Sequence, residues 1–258
     1  MSRWELQQGW TLENFHGAVG YNATLTASTA SNAKGGWAQI NAAITDPAQG
    51  YLVTLGFASA AVDYLVDIGR GAAGAEIVDI ANIPFSSGGS GRLDAEPIWV
   101  PLHVPAGTRL AARCQSQNAS ATVLLSVDGV RAGWNSLPLF GRSTTYGAAT
   151  ADSGGAQVDP GATANTKGTP VQLIASTTDP LKALLFCIGN QANTAEVGGV
   201  DISADVMVGA AAVEQVQTAD FFFIDTAAGD QKASRYFFCY ADIPAATRLS
   251  VRAQSGST

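Results

Sequence analysis

Residues 64–80, YLVDIGRGAAGAEIVDI, contain Gly69-Arg70-Gly71-Ala72-Ala73-Gly74, a G-x-G-x-x-G run directly after an apolar strand. Glycines at that spacing can cradle a dinucleotide, whose pyrophosphate then sits on the N-terminus of a helix starting at the third glycine. The segment beyond Gly74 is instead short and β-branched, Glu76-Ile77-Val78-Asp79-Ile80, and leads into Asn82, Pro84 and Ser86-Ser87-Gly88-Gly89. That pattern predicts a second strand ending in a loop, hence a hairpin. Gly69, Gly71 and Gly74 are then structural turn residues, and no nucleotide cofactor is expected.

The other residues with chemical potential are scattered. The two histidines, His16 and His103, lie beside Phe15 and within WVPLHVP, and neither accompanies the G-x-S-x-G elbow of a serine hydrolase. Cys114, Cys187 and Cys239 form no C-x-x-C and no His/Cys pair at zinc-ligand spacing, so they read as small apolar core residues. The Asp/Gly loops DTAAGDQK (225–232) and TADSGGAQVDPG (150–161) could wrap calcium but lack the EF-hand pattern. No catalytic, cofactor-binding or metal-ligating residue is assigned, and an enzyme is not expected. Trp10, Trp37, Trp99 and Trp134 are the candidates for glycan or interface contacts. Trp10 and Trp134 sit in similar settings, Gly9-Trp10 and Gly133-Trp134, which favours packing for that pair. Asn22-Ala-Thr and Asn118-Ala-Ser are formal glycosylation sequons, without meaning in a bacterial host.

Composition narrows the elements that could position these residues. The 258 residues are 47% hydrophobic but only 14% charged, with 28 glycines, which suits tight-turned β-sheets better than helical bundles with charged outer faces. The net charge is −7, and the 14 Lys and Arg never cluster, so nucleic acid is not a partner. The N-terminus MSRWELQQGW lacks the basic-then-apolar order of a secretory signal. No stretch approaches the roughly 18 apolar residues of a membrane helix, so no membrane insertion is expected. Three dispersed cysteines make no disulfide framework and fit synthesis in a reducing cytoplasm.

The chain repeats itself. VPAGTRLAARCQS (104–116) returns as IPAATRLSVRAQS (243–255), identical at eight of thirteen positions. NAKGGWAQI (32–40) returns as NTKGTPVQL (165–173), and Thr45-Asp46-Pro47 returns as Thr178-Asp179-Pro180. Gly56 and Gly189 close corresponding apolar strands, YLVTLG and LLFCIG. Matches in the same order point to an internal duplication. The repeat bears on the glycine run as well: DIGRGAAGAEIV answers to DVMVGAAAVEQV (205–216), which keeps one of the three glycines. A phosphate cradle could not lose the other two, whereas a hairpin turn could.

Each copy reads as about seven short runs rich in Val, Ile, Leu and Thr, among them WAQI, YLVTLGF, VDYLVDIG, AEIVDIANI, PIWVPLHVP, TRLAARCQS and TVLLSVDGV. The expected fold is all-β: two tandem antiparallel β-sandwich domains of jelly-roll type. The predicted layout is an N-terminal docking segment over 1–17, a first sandwich over 18–132 and a second over 133–258. The repeated scaffold shows no repeated polar cluster, which favours a structural role.

The motifs N-x-K-G-x-x-x-Q-(I/L), YLVDIGRGAAGAEIVDIANIP and P-A-G-T-R-L-x-x-R-x-Q-S, with YGAATADSGGAQVDPGATANTKGTPVQLIAST in the second copy, resemble a recurrent virion protein of tailed phages and of gene transfer agents. The resemblance covers about residues 18–130 and 146–258. It implies a structural component of a phage-like particle, of head-spike, decoration or tail-fibre type, made in the bacterial cytoplasm and exposed on the particle surface. It carries no catalytic residue with it. The implied partners are copies of the chain itself, in a closed trimer or pentamer, and neighbouring virion proteins. The alternative is an adhesin module that attaches to host-surface polysaccharide.

One asymmetry stands out. In the first copy RCQSQ leads through NASA into TVLLSVDGV (122–130), while the second copy's RAQSGST ends before any counterpart of that strand. A sandwich short of one strand exposes an edge and a strip of core. The preferred explanation is a chain that continues past Thr258, with a strand supplied by another chain as the second.

Overall fold

The structure is a computed structural model that describes residues 11–14, 23–87, 97–131, 143–189, 201–224 and 235–256. Every regular element among the described residues is a β-strand, and the ladders within both compact units are antiparallel. The all-β antiparallel expectation holds. No described helix is long and apolar enough to cross a membrane.

The first unit runs to Thr145 and takes in Thr150–Gly154. The sequence places the domain boundary near residue 132, and 132–142 lie outside the described residues. The strands of unit 1 are β1 (Thr11–Asn14), β2 (Ala23–Thr26), β3 (Ala38–Asn41), β4 (Tyr51–Gly56), β5 (Asp63–Arg70), β6 (Ile77–Ser86), β7 (Ile98–Val100), β8 (Leu110–Ser116) and β9 (Thr122–Arg131). They form two sheets, β3-β8-β5-β6 and β1-β9-β4-β7, with β2 also paired to β9. β9 is the central strand of the second sheet, with β2 on one side and β4 on the other. Successive strand residues face opposite ways, so the alternating apolar residues of each sheet share one side. Leu25, Val53, Leu55, Val123, Leu125 and Val127 from one sheet, and Val66, Ile68, Ala112 and Cys114 from the other, are all buried to 2% exposure or less. Two-residue strands follow, β10 (Ala148–Ala149) and β11 (Gly154–Gly155).

The second unit has β12 (Val171–Ile174), β13 (Leu181–Ile188), β14 (Asp201–Val208), β15 (Gln215–Ile224), β16 (Arg235–Ile243) and β17 (Leu249–Ser255). Its four-stranded sheet, β12-β17-β14-β15, has the order of β3-β8-β5-β6. The registers agree in detail. Asp67 opposes Arg113 in unit 1 and Asp205 opposes Arg252 in unit 2. Gly35 and Gly168 donate their amides to the Cys114 and Ala253 carbonyls, and the left-handed Asn32 and Asn165 donate theirs to Ser116 and Ser255.

The second layers differ. The pair β13-β16 answers to β4-β7, since Tyr51 opposes Val100 and Leu184 opposes Cys239 in matching registers. The bridge between Ala48 and Val104 has its match in Leu181 and Ile243. Unit 1 continues past β4 into β9, whereas the second sheet of unit 2 contains only β13 and β16 among the described residues. Phe186 stands where unit 1 has Val53, and it stacks on Phe221 with ring centroids 4.7 Å apart. Larger side chains thus fill part of the layer in unit 2.

Candidate functional site

The glycine run folds as its neighbours predict. β5 and β6 pair as an antiparallel hairpin, and 71–76 form its turn. Gly71 has φ +122° and Gly74 φ +81°, left-handed values that glycine adopts without strain. The matched hairpin β14-β15 holds Gly209 at +111° but Ala212 at +67° in the position of Gly74. Gly69 is needed for another reason: a Cβ there would lie 2.8 Å from the Ile77 carbonyl and 2.9 Å from the Trp37 ring. Met207 replaces Gly69 in unit 2, where Pro170 replaces the indole.

An open depression of about 420 Å³ lies beside this turn, lined by Arg70, Gly71, Ile77, Gly107 and Arg109 among others. Two guanidinium groups next to a glycine turn could bind an anion, but both already hold carboxylates. Arg109 donates to Glu76 Oε1 at 2.8 Å, to the Gly71 carbonyl at 3.1 Å and to Gln39 Oε1 at 3.1 Å. Glu76 Oε2 accepts the Gly74 amide at 3.0 Å, which locks the turn. The Arg70 Nε lies 3.0 Å from Asp79 Oδ1, and the other oxygen of that carboxylate accepts from the Tyr51 hydroxyl at 3.0 Å. Burial pushes the Asp79 carboxyl up, against the pull of Arg70 and Tyr51. The Tyr51 phenol is likewise driven up by burial and by Asp79. Chemically the depression is the outer surface of a brace.

A second cluster sits on the same sheet, around Asp67. The β5-β6 register shifts between Val66 and Ile68, and Asn82 opposite adopts φ +53°. Such a bulge leaves a backbone donor outside the ladder. The buried Asp67 carboxylate accepts that Asn82 amide at 2.8 Å, the Lys34 ammonium at 2.7 Å and the Arg113 Nε at 2.8 Å. Lys34 also donates to the Leu65 carbonyl, and burial lowers its pKa despite Asp67. The Arg113 guanidinium lies 4.5 Å from the centroid of Trp37, a cation–π contact.

Unit 2 builds the same cluster. Asp205 accepts from Lys167 at 2.9 Å, from Arg252 at 2.9 Å and from the amide of Asp220, whose φ is +56°. Burial alone would raise Asp205, but Lys167, the Asp220 amide and Arg252 outweigh it and hold the carboxyl below its ordinary range. The turn brace recurs as well, in Arg248 with Glu214 and Gln172. The expectation of no repeated polar cluster is therefore wrong. Its members, 33 and 46 residues apart in unit 1, meet only because β8 pairs with β5 and the 32–37 stretch crosses them. Lys34/Lys167 and Arg113/Arg252 stood inside the repeated motifs, and their matched charges were the signal that could have revealed it.

The remaining candidates belong to the framework or to the surface. Trp37 is half-buried against Gly69 and Arg113. Trp99 is half-buried on β7, lying so close over Gly50 that a Cβ there would meet its ring at 2.2 Å. Trp10, Trp134 and His16 lie outside the described residues, as does the 1–17 segment except for β1. His103 is exposed, and its carbonyl accepts from Arg70. Burial pushes the Cys114 thiol up to about 12, so it carries no thiolate chemistry near neutrality. The other two cysteines are half-buried on β13 and β16. Among the described residues no group of His, Cys, Asp and Glu is arranged to hold a metal ion. No protein-family model matches the chain, and no curated protein is significantly similar to it.

Proposed function

We propose that this chain is a non-enzymatic structural component of a phage-like particle, of head-spike, decoration or fibre type, which assembles with copies of itself and with neighbouring virion proteins. The observation that carries the reading is the use made of its charged groups. In both units buried Asp and Glu side chains close onto Arg of a neighbouring strand and, at Asp67 and Asp205, onto Lys34 and Lys167 of the stretches before β3 and β12, so the groups with chemical potential stiffen a sheet. In this reading the buried, hydrogen-bonded ion pairs specify one strand register more than they add net stability.

Apolar side chains at the hairpin tips support assembly. Ile77 is 69% exposed near the turn of β5-β6, and Val213 is 71% exposed in the turn of β14-β15. Each hairpin tip thus carries an exposed apolar side chain, at a different position in the two units, as a contact point for a closed ring. Trp37 and Trp99 serve the framework in this reading, each resting on a glycine of its own sheet.

Purified particles test the reading. A gold-labelled antibody against the chain should decorate intact particles at symmetry-related positions, and the isolated protein should sediment as a closed oligomer such as a trimer or pentamer. Particles that never contain the chain would overturn the proposal.

A further inference from the structure

Val213 and Ile77 are the two most exposed large hydrophobic side chains among the described residues, at 71% and 69%. They stand on matched hairpins but at different positions. Val213 of the β14-β15 turn answers to Ala75 in the β5-β6 turn, and Ile77 answers to Gln215. A tip-to-tip contact between equivalents would place the apolar side chain at the same position in both. Each hairpin has instead a feature that the other lacks.

On unit 2 the feature is a knob. Val213 follows Ala210, Ala211 and Ala212, all exposed, and the first charge after it, Glu214, is engaged by Arg248. On unit 1 the feature is a socket, the open depression of about 420 Å³ lined by Gly71, Ala72, Gly107 and Ile77. It has room for a valine side chain and its flanking alanines. Arg70 and Arg109 also line it, and each guanidinium is already held, by Asp79 and by Glu76. Arginines paired in this way offer their apolar stems to a guest without a bare charge. The same pairs fix the socket before anything enters it, which lowers the ordering cost of binding. Unit 2 has Val208 in place of Arg70 and Gln215 in place of Ile77, so these walls belong to unit 1 alone.

We propose that the Val213 knob of one copy enters the socket between Arg70 and Arg109 of a second copy. Both halves of the contact are written in one chain, which makes another copy the occupant. Knob and socket are different surfaces, so the contact is heterologous and closes into a ring where the rotation between copies permits. Every chain then makes it twice, once with each neighbour, and ring closure offsets the small area of a single tip. The inference deepens the reading of the chain as a self-assembling component and rests on it.

Sedimentation velocity on the complete 258-residue protein over a range of concentrations tests the contact. Val213→Asp places a charge on the knob and Ala72→Trp fills the socket. Each should weaken self-association by at least about tenfold. Phe222→Ser, at an exposed apolar side chain on neither tip, should leave it within about twofold. All three positions are exposed, so the melting temperatures should match that of the parent protein and separate loss of contact from loss of folding. Val213→Asp and Ala72→Trp chains mixed in equal amounts should form dimers and nothing larger, because one keeps its socket and the other its knob. A protein that is monomeric at every concentration would overturn the proposal. So would association indifferent to either tip variant, or a mixture that stays monomeric. Antibody decoration of particles does not depend on these outcomes, and particles lacking the chain would leave the sedimentation result standing, so the two readings fail separately.

Discussion

The two four-stranded sheets are near copies, while the layers that cover them are not. Both sheets pin a β-bulge with a buried aspartate, Asp67 or Asp205, and lock a hairpin turn with an Arg–Glu pair. Unit 1 covers its sheet with a layer that includes β2, β9, β4 and β7, whereas unit 2 covers its sheet with β13, β16 and larger aromatic side chains. The braced sheet is thus the invariant part of the design, and the second layer is where the units differ in what they leave open.

The comparison breaks first if the aspartate clusters are not equivalent. Asp67→Ala leaves Lys34, Arg113 and the Asn82 amide without their shared acceptor, and Asp205→Ala does the same to Lys167, Arg252 and the Asp220 amide. Removing one side of such a buried pair costs about 3–5 kcal/mol, and the partly exposed cations place both variants near the lower end. Denaturant titration should show similar losses for the two. A loss confined to one would break the equivalence.

The layers sharpen the contrast. Leu55→Ala empties a sealed site and should cost about 3 kcal/mol, within the usual range for buried leucine. Ile188→Ala, at the matching but half-buried position, should cost about half that. Equal losses would mean that unit 2 is as closed as unit 1.

Acid separates the units by the sign of their carboxylate shifts. In unit 1, burial raises Asp63, Asp79 and Asp128. Protonation therefore favours the folded unit as pH falls from neutrality through the carboxylate range. In unit 2, Asp205 is lowered, as are Glu214 by backbone and Arg248 hydrogen bonds and Asp220 by Ser203 and Lys167. The stability these groups provide is present above the ordinary carboxylate value near 4 and is lost as pH falls through their depressed values. Glu76 opposes the trend within unit 1, since it too is lowered, burial being outweighed by backbone and Arg109 hydrogen bonds. No tryptophan follows residue 134, and Trp37 and Trp99 are packed within unit 1, so tryptophan fluorescence reports the surroundings of those two. On acidification the fluorescence change should lag behind the loss of far-ultraviolet β-signal. Coincident transitions would contradict the assignment.

The smallest effect lies in the turns. Gly74→Ala places a methyl group in open space at φ +81°, where Ala212 already manages +67°. It should cost under about 1 kcal/mol. Gly71→Ala, at φ +122° with the Ala75 carbonyl 3.0 Å from the new Cβ, should cost visibly more in the same melting experiment.

Much of this was written locally in the chain. YLVTLGF, VDYLVDIG, AEIVDIANI and TVLLSVDGV are β-branched runs with the period of strands, and they become β4, β5, β6 and β9. The hairpin reading of residues 69–74 needed only the short β-branched segment beyond Gly74. The aspartate clusters were hidden because cross-strand register, not sequence spacing, brings Lys34, Asp67 and Arg113 together. The fit of Trp37 to Gly69 was hidden for the same reason, though the paired change to Pro170 and Met207 recorded it. The aromatic filling by Phe186 and Phe221 was not legible, because it depends on which faces of β13 and β15 meet.

The difference between the covering layers is the central claim, and hydrogen exchange with residue-level resolution on the unliganded protein tests it most directly. β4 is paired on both sides, so successive amides over Tyr51–Gly56 should all exchange slowly. β13 has one partner strand among the described residues, so the amides of Leu184–Phe186 that face away from β16 should exchange at least a hundredfold faster than those directed to it. Uniform slow exchange along both strands would contradict the account.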